Sequence, residues 1–230
     1  MKLDCSASFE YLTGRDDSCL QACWSGHLVH PEVLEPLQQL RLDADAAGFE
    51  LAIASSYRSY ERQRFIWQEK LAGRRPLLDA NERPLNIAEQ TEEQVLWAML
   101  RWSAIPGASR HHWGTDLDIF DARALQEQGL KLQLTVAECK QDGPLFDFHC
   151  WLDEYLRSLS NPGFVRPYCQ DSGGVAPEPW HISFKPVSNG LQQAYDFDLF
   201  QRLLSEDNLP LNGLIHNHAQ EIFDRYIALC

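Results

Sequence analysis

Two short stretches constrain this chain more than anything else in it. One is Ser109-Arg110-His111-His112-Trp113-Gly114-Thr115-Asp116-Leu117-Asp118; the other, about 60 residues later, is Glu178-Pro179-Trp180-His181. A fold that gives them a joint purpose must bring a loop and two strands together. Thr115 to Phe120 reads as a strand with Leu117 and Ile119 on one face and Asp116 and Asp118 on the other. Gly114 stands where the chain turns from loop into strand. Glu178 and His181 are joined by a turn containing Pro179, which a helix interior would not accept. Histidines and an aspartate able to ligate metal, with a glutamate as base, are the inventory of a catalytic zinc site. Such a site has three protein ligands, one open position for water and a carboxylate to take the water's proton.

The rest of the chain can build a scaffold for such a site. Its 230 residues are 44% hydrophobic and 23% charged, enough for one domain with a full core. We read a single domain over 1–230, with the motif-bearing core at about 30–185 and a helical extension at about 191–230. The net charge of -13 disfavours nucleic acid as a partner. No run is apolar enough to insert in a membrane, and no secretory signal is visible. The seven cysteines (5, 19, 23, 139, 150, 169 and 230) are odd in number and scattered, so they read as reduced thiols in a cytoplasmic protein. Cys19 and Cys23, four apart, read as packing residues rather than a metal pair.

Periodicity then places the elements. Residues 1–29 form an irregular lead-in with one short helix. Pro31 to Gly48 carries Val33, Leu34, Leu37 and Leu40 at helical spacing, and residues 49–56 alternate as a strand that delivers Tyr57-Arg58-Ser59 at its end. Ser59 starts a helix ending at Gly73; residues 74–90 read as a loop crossing the surface; Thr91 opens a helix that stops at Pro106-Gly107. Phe148 to Leu159 forms another helix, Phe164 to Tyr168 an edge strand, Trp180 to Phe184 a final strand, and the chain from about 191 two helices. Helices and strands mix without a regular βαβ beat. The fold class is α+β: one domain with a small, mostly antiparallel sheet flanked by helices.

Ser109, His111, Gly114 and Asp118, followed by Glu178 and His181, resemble the zinc D-alanyl-D-alanine peptidases of the VanY/VanX type, the group that includes the hedgehog signalling domain. Ser56-Tyr57-Arg58-Ser59 resembles that family's upstream Tyr-Arg-Ser element. The resemblance covers about residues 30–185. It implies a zinc site in a cleft on the sheet, with one Zn2+ per chain held by His111, Asp118 and His181, and Glu178 as general base. It also implies that Arg58 binds a substrate carbonyl or carboxylate and stabilises the oxyanion, and that Ser109 hydrogen-bonds the substrate. His112 reads as a bystander or substrate contact, and Trp113 and Trp180 as packing residues.

Asp116 departs from the pattern, since the family usually has a small residue two before the aspartate ligand. On the same face as Asp118, it is expected to bind substrate, recognising an ammonium; a place behind the ligands or against solvent is the alternative. The implied substrate is a peptide or muropeptide, and the implied activity D-alanyl-D-alanine carboxypeptidase. The rivals are an endopeptidase cutting L-alanyl-D-glutamate or a cross-link, and a zinc-containing binding module without catalysis. A carboxypeptidase needs a cation for the substrate's terminal carboxylate, and the sequence does not show which residue supplies it.

Overall fold

The computed structural model describes residues 5–228. Its elements in chain order are α1 (Phe9–Leu12), β1 (Gln21–Ala22), β2 (Leu28–Val29), α2 (Leu34–Ala46), β3 (Leu51–Ser55), α3 (Tyr60–Leu71), α4 (Glu92–Trp102), β4 (Asp116–Asp121), α5 (Ala122–Gln128), α6 (Val136–Cys139), α7 (Phe146–Arg157), β5 (Phe164–Val165), β6 (His181–Phe184), α8 (Lys185–Ala194), α9 (Phe197–Glu206), α10 (Asn212–Asn217) and α11 (Ala219–Ile222). A short 3₁₀ turn, Arg110–Trp113, precedes β4.

The helix starts follow capping chemistry written in the sequence. Ser59 accepts from the Arg62 N–H at 3.2 Å, and Thr91 forms a full capping box with Gln94. Strands β3, β4, β6 and β5 form one antiparallel sheet in that order. Alternation gives the sheet two chemically different faces. Leu51, Ile53, Leu117, Ile119, Ile182 and Phe184 pack against Leu37 and Leu40 of α2 and Phe148 and Leu152 of α7. Asp116, Asp118, His181 and Ser183 occupy the other face. A second apolar cluster joins α3 and α4 to Tyr11 and Leu12 of α1 and to the C-terminal helices through Phe200, Leu203 and Ile222. No described helix is long and apolar enough to cross a membrane.

Three expectations need correction. The thiols are not all free: Cys5 and Cys19 form a disulfide that ties down the lead-in, while Cys23, Cys139, Cys150 and Cys169 are free and Cys230 lies outside the described residues. The lead-in, with its one short helix, packs against the turn before β4: Tyr11 Oη donates to the Trp113 carbonyl at 2.7 Å and Trp113 Nε1 donates to the Leu12 carbonyl at 3.1 Å. The 74–90 segment does not merely cross the surface; it buries Leu77 and contributes Arg75, Pro76 and Leu78 to a cleft. Finally, the C-terminal helices begin at Lys185 rather than about 191, and there are more than two of them.

Candidate active site

The polar face of the sheet floors an open cleft of about 470 Å³, lined by Arg58, Ser109, His111, Asp118, Glu178 and His181 among others. Pairing of β4 with β6 sets Asp118 directly opposite His181. His111 arrives from the 3₁₀ turn, whose exit needs Gly114: its φ is +66°, and a Cβ there would stand 2.8 Å from the His30 nitrogen. Arg58, just past β3, is held to the same turn because its N–H donates to the His111 carbonyl at 3.0 Å. Glu178 and His181 close a turn in which the His181 N–H donates to the Glu178 carbonyl at 3.0 Å.

Hydrogen bonds fix the tautomer of both histidines. His111 Nδ1 lies 2.9 Å from the Ser56 carbonyl, which only accepts, so Nδ1 carries the proton and Nε2 is bare. His181 Nε2 lies 3.0 Å from Asp116 Oδ1, so it too carries a proton, and neutral His181 presents a bare Nδ1. His111 Nε2 is 3.3 Å from Asp118 Oδ2, and His181 Nδ1 is 3.1 Å from Asp118 Oδ1. One ligand atom from each residue falls within 4.8 Å of the others. Ligand atoms about 2.0–2.2 Å from a tetrahedral zinc stand roughly 3.4 Å apart, so this donor set fits the ion. Asp118 Oδ1 and His181 Nδ1 are buried without a hydrogen-bond partner. Orphaned buried polar atoms are costly, and a shared cation would satisfy both.

Electrostatics sharpen the arrangement. Burial would raise the Asp116 and Asp118 carboxyls, but Arg110 and His181 around the first, and His111 and His181 around the second, outweigh it and hold both well below the usual range. Burial would depress His181, yet its hydrogen bond to Asp116 and the Asp118 carboxylate 3.1 Å from Nδ1 push it up to about 10 in the metal-free protein. Burial, reinforced by Asp118, pushes the Glu178 carboxyl up to about 7 against the pull of His181, Arg58 and Lys70. Glu178 Oε2 lies 3.4 Å from His181 Nδ1, beside the space where the three ligand atoms converge.

Asp116 is the residue whose expected place changes. It is 0% exposed and does not line the cleft, so it is not positioned to meet a substrate ammonium. Strand alternation does put it on the face of Asp118, but β6 pairs alongside and lays the His181 ring across both carboxylates. Its oxygens are saturated by Arg110 Nε at 2.8 Å, Thr115 Oγ1 at 2.7 Å, Ser183 Oγ at 3.0 Å and His181 Nε2. Arg110 continues the chain of contacts to Gln192 of α8 at 2.7 Å.

His112 also resolves into a positioning residue. Its Nδ1 donates to the Arg58 carbonyl at 2.5 Å and its Nε2 accepts from the Gly107 N–H at 3.0 Å, while burial lowers its pKa to about 3 and keeps it neutral. Gln63, unnoticed in the sequence, accepts from Arg58 Nη1 at 2.8 Å and is anchored to the Ala104 carbonyl at 2.7 Å. Its signal was present: Tyr60, Gln63 and Trp67 share one helical face, and a polar residue on a buried face needs a partner. Trp180 lines the cleft and Trp113 packs in the core. Tyr168 also lines the cleft, its ring 4.9 Å from that of His181.

Comparison with known proteins agrees with this geometry. A family model described as VanY, D-alanyl-D-alanine carboxypeptidase, matches residues 26–187. An uncharacterized protein of Haemophilus influenzae is 34% identical over 127 residues, covering 54% of this chain and 93% of that one. A D-alanyl-D-alanine carboxypeptidase of Enterococcus faecalis is 27% identical over 168 residues, 72% of this chain but only 51% of its own length. Among solved structures, VanYB in complex with D-alanine-D-alanine shares 25% identity at a TM-score of 0.51, covering 82% of this chain and 89% of that one. A vancomycin-resistance VanY D,D-pentapeptidase in complex with Zn(II) shares 25% identity at a TM-score of 0.51, covering 77% and 89%. With the family model spanning well over half of its length, this chain belongs to the VanY family and is a peptidase.

Proposed function

We propose that the chain is a zinc-dependent D-alanyl-D-alanine carboxypeptidase acting on peptidoglycan peptides. One observation carries the reading: His111 Nε2, the Asp118 carboxylate and His181 Nδ1 converge on one buried space, with Glu178 alongside. Zinc bound there would supply Lewis acidity to the scissile carbonyl and to the attacking water. The chain's own residues do the rest. Glu178 takes the water's proton and passes it to the leaving amine; a carboxyl already lifted towards neutrality by burial suits both halves of that task. Arg58, fixed by Gln63 and by Ser55 Oγ at 3.0 Å, points a cation at the developing oxyanion, a contribution of about 2.7–4 kcal/mol where measured in other hydrolases. Ser109 lines the cleft as a hydrogen-bonding group for the peptide. Asp116 holds the His181 ring, in the manner of the carboxylates behind metal-bound histidines generally.

The cytoplasmic expectation rested on free thiols throughout, and the Cys5–Cys19 disulfide removes part of that premise. The decisive experiment pairs metal analysis with a D-alanine release assay on wild type and Glu178→Gln. About one zinc per chain is expected in both proteins, with activity only in the wild type. A folded, active wild type that holds no metal would overturn the zinc mechanism. A zinc-loaded wild type that releases no D-alanine would overturn the substrate assignment.

A further inference from the structure

The C-terminal helices reach back into the cleft. Tyr226, from a π-helical turn at Phe223–Ile227, lines it together with Val175, although it lies beyond residues 26–187, which carry the family match. Such wide turns occur frequently at functional sites. This one closes with the Ala228 N–H donating to the Phe223 carbonyl at 2.8 Å, and Gln192 Nε2 of α8 donates to the Ile227 carbonyl at 2.9 Å. The Tyr226 ring stacks on Trp97 of α4, with centroids 6.2 Å apart and planes inclined by 25°, and the Arg225 guanidinium lies 5.2 Å over it. The ring is thus a fixed surface. Arg225 Nη2 also donates to the Gly173 carbonyl at 2.6 Å, and a side chain at Gly174 would run into the Arg225 carbonyl. Val175, three residues before Glu178, is therefore held against the same turn and packs on the same apolar cluster as Tyr226.

Packing accounts for the stack on Trp97, which phenylalanine would make equally well. It does not account for the hydroxyl. Tyr226 is only 9% exposed, yet among the described residues its hydroxyl has no hydrogen-bond partner, whereas those of Tyr11, Tyr57, Tyr155 and Tyr195 each donate to one. The size of the cleft points the same way. Its volume of about 470 Å³ falls among sites of roughly 300–1,000 Å³ that enclose drug-sized ligands, and a D-alanyl-D-alanine pair brings only two methyl groups to it. Arg58 and Ser109 serve the polar groups at the scissile bond. Tyr226 and Val175 are left as an apolar wall for whatever precedes the pair.

We propose that Tyr226 is a specificity-determining residue: with Val175 it takes the side chain of the residue immediately upstream of the scissile D-alanyl-D-alanine pair and favours one with an aliphatic stem. The C-terminal helices would then select the substrate as well as stabilise the fold. The proposal rests on the peptidase reading above and narrows its substrate class. A large apolar side chain on the leaving residue offers the same chemistry, and the test separates the two.

The zinc-loaded full chain is assayed on acetyl-norleucyl-D-Ala-D-Ala, acetyl-glycyl-D-Ala-D-Ala and acetyl-glycyl-D-Ala-D-Leu. Wild type is expected to prefer the norleucyl over the glycyl peptide by roughly 10- to 200-fold in kcat/KM, the range for apolar groups in a fitted pocket. Tyr226→Ala should lose most of that preference and Tyr226→Phe should keep it, because the ring makes the wall. A general loss of folded enzyme lowers both rates alike and leaves the ratio unmoved. Val175→Asp, on the other half of the wall, should lose the preference too, and decides the matter if Tyr226→Ala does not fold. Equal cleavage of the two peptides by wild type overturns the proposal, as does a preference that survives in both Tyr226→Ala and Val175→Asp. So does a Tyr226→Phe variant as unselective as alanine. A change confined to the D-Leu peptide places the wall against the leaving residue and overturns the upstream assignment. If wild type cleaves nothing, the peptidase substrate reading has failed. Calorimetry of the norleucyl and glycyl peptides on zinc-loaded Glu178→Gln then still decides the wall. Tighter binding of the norleucyl peptide that is lost on adding Tyr226→Ala upholds it, and equal binding or none refutes it.

Discussion

Replacing Asp116 tests how this site would hold a zinc ion. Asp116→Ala would remove four contacts at once: the ion pair with Arg110, whose side chain is only 10% exposed, the acceptor for His181 Nε2–H, and bonds from Thr115 and Ser183. Two consequences follow, and they are separable. The first is stability, because leaving a buried guanidinium without its partner costs about 3–5 kcal/mol. The second is metal binding: without Asp116 nothing fixes which nitrogen of His181 carries the proton, and loss of such a partner typically weakens a metal site 10- to 100-fold, about 1.4–2.7 kcal/mol. Zinc affinity is measured by chelator competition and stability by denaturant unfolding, for Asp116→Ala, Asp116→Asn and the double variant Asp116→Ala with Arg110→Met. Asparagine keeps an acceptor and is expected to fall between wild type and alanine in affinity. The double variant removes the orphaned charge, so it should recover stability relative to Asp116→Ala while its zinc affinity stays low. If affinity instead recovers in step with stability, or never falls, Asp116 is a packing residue and the orienting role is refuted.

Three further outcomes are expected. Stripping metal with a chelator should lower the unfolding temperature and zinc should restore it, because zinc at a hundred times its Kd adds about 2.7 kcal/mol; a midpoint indifferent to zinc would count against the site. Lys70→Met should gain stability against wild type at pH 7 and lose that advantage at high pH. The folded-state pKa of about 8 lies below the unfolded value near 10.5, so the unfolded chain binds more protons between them and wild-type stability climbs through that window, by about 1–3 kcal/mol; denaturant midpoints at pH 7 and pH 10.5 that differ from wild type by the same amount would contradict it. Gly114→Ala should destabilise by about 1–3 kcal/mol, since φ is +66° and the new methyl meets the His30 backbone, and unchanged unfolding would show that the turn can relax.

The sequence by itself determined the parts whose causes are local. Helix starts were legible because Ser59 and Thr91 satisfy amide groups three residues away, and β4 was legible because its alternation sorts Leu117 and Ile119 from Asp116 and Asp118. The ordered motifs named the cleft residues because metal and proton chemistry restrict the residue types that can serve. Tertiary structure decided what each face would meet. Period-two alternation put Asp116 beside Asp118, but only the pairing of β4 with β6 laid His181 across both carboxylates and Arg110 over the first, turning an expected substrate contact into a buried support. Arg75, in the segment read as crossing the surface, and Lys70, which the sequence did not single out, are cleft residues only because α4 and the strand face close around them. The disulfide between Cys5 and Cys19, the packing of the lead-in under Trp113 and the link from Gln192 to Arg110 are of the same kind. Each joins separate segments, 14 residues apart at the disulfide and 101 and 82 apart at the other two, and a pattern read along one segment carries no information about which other segment will cover it.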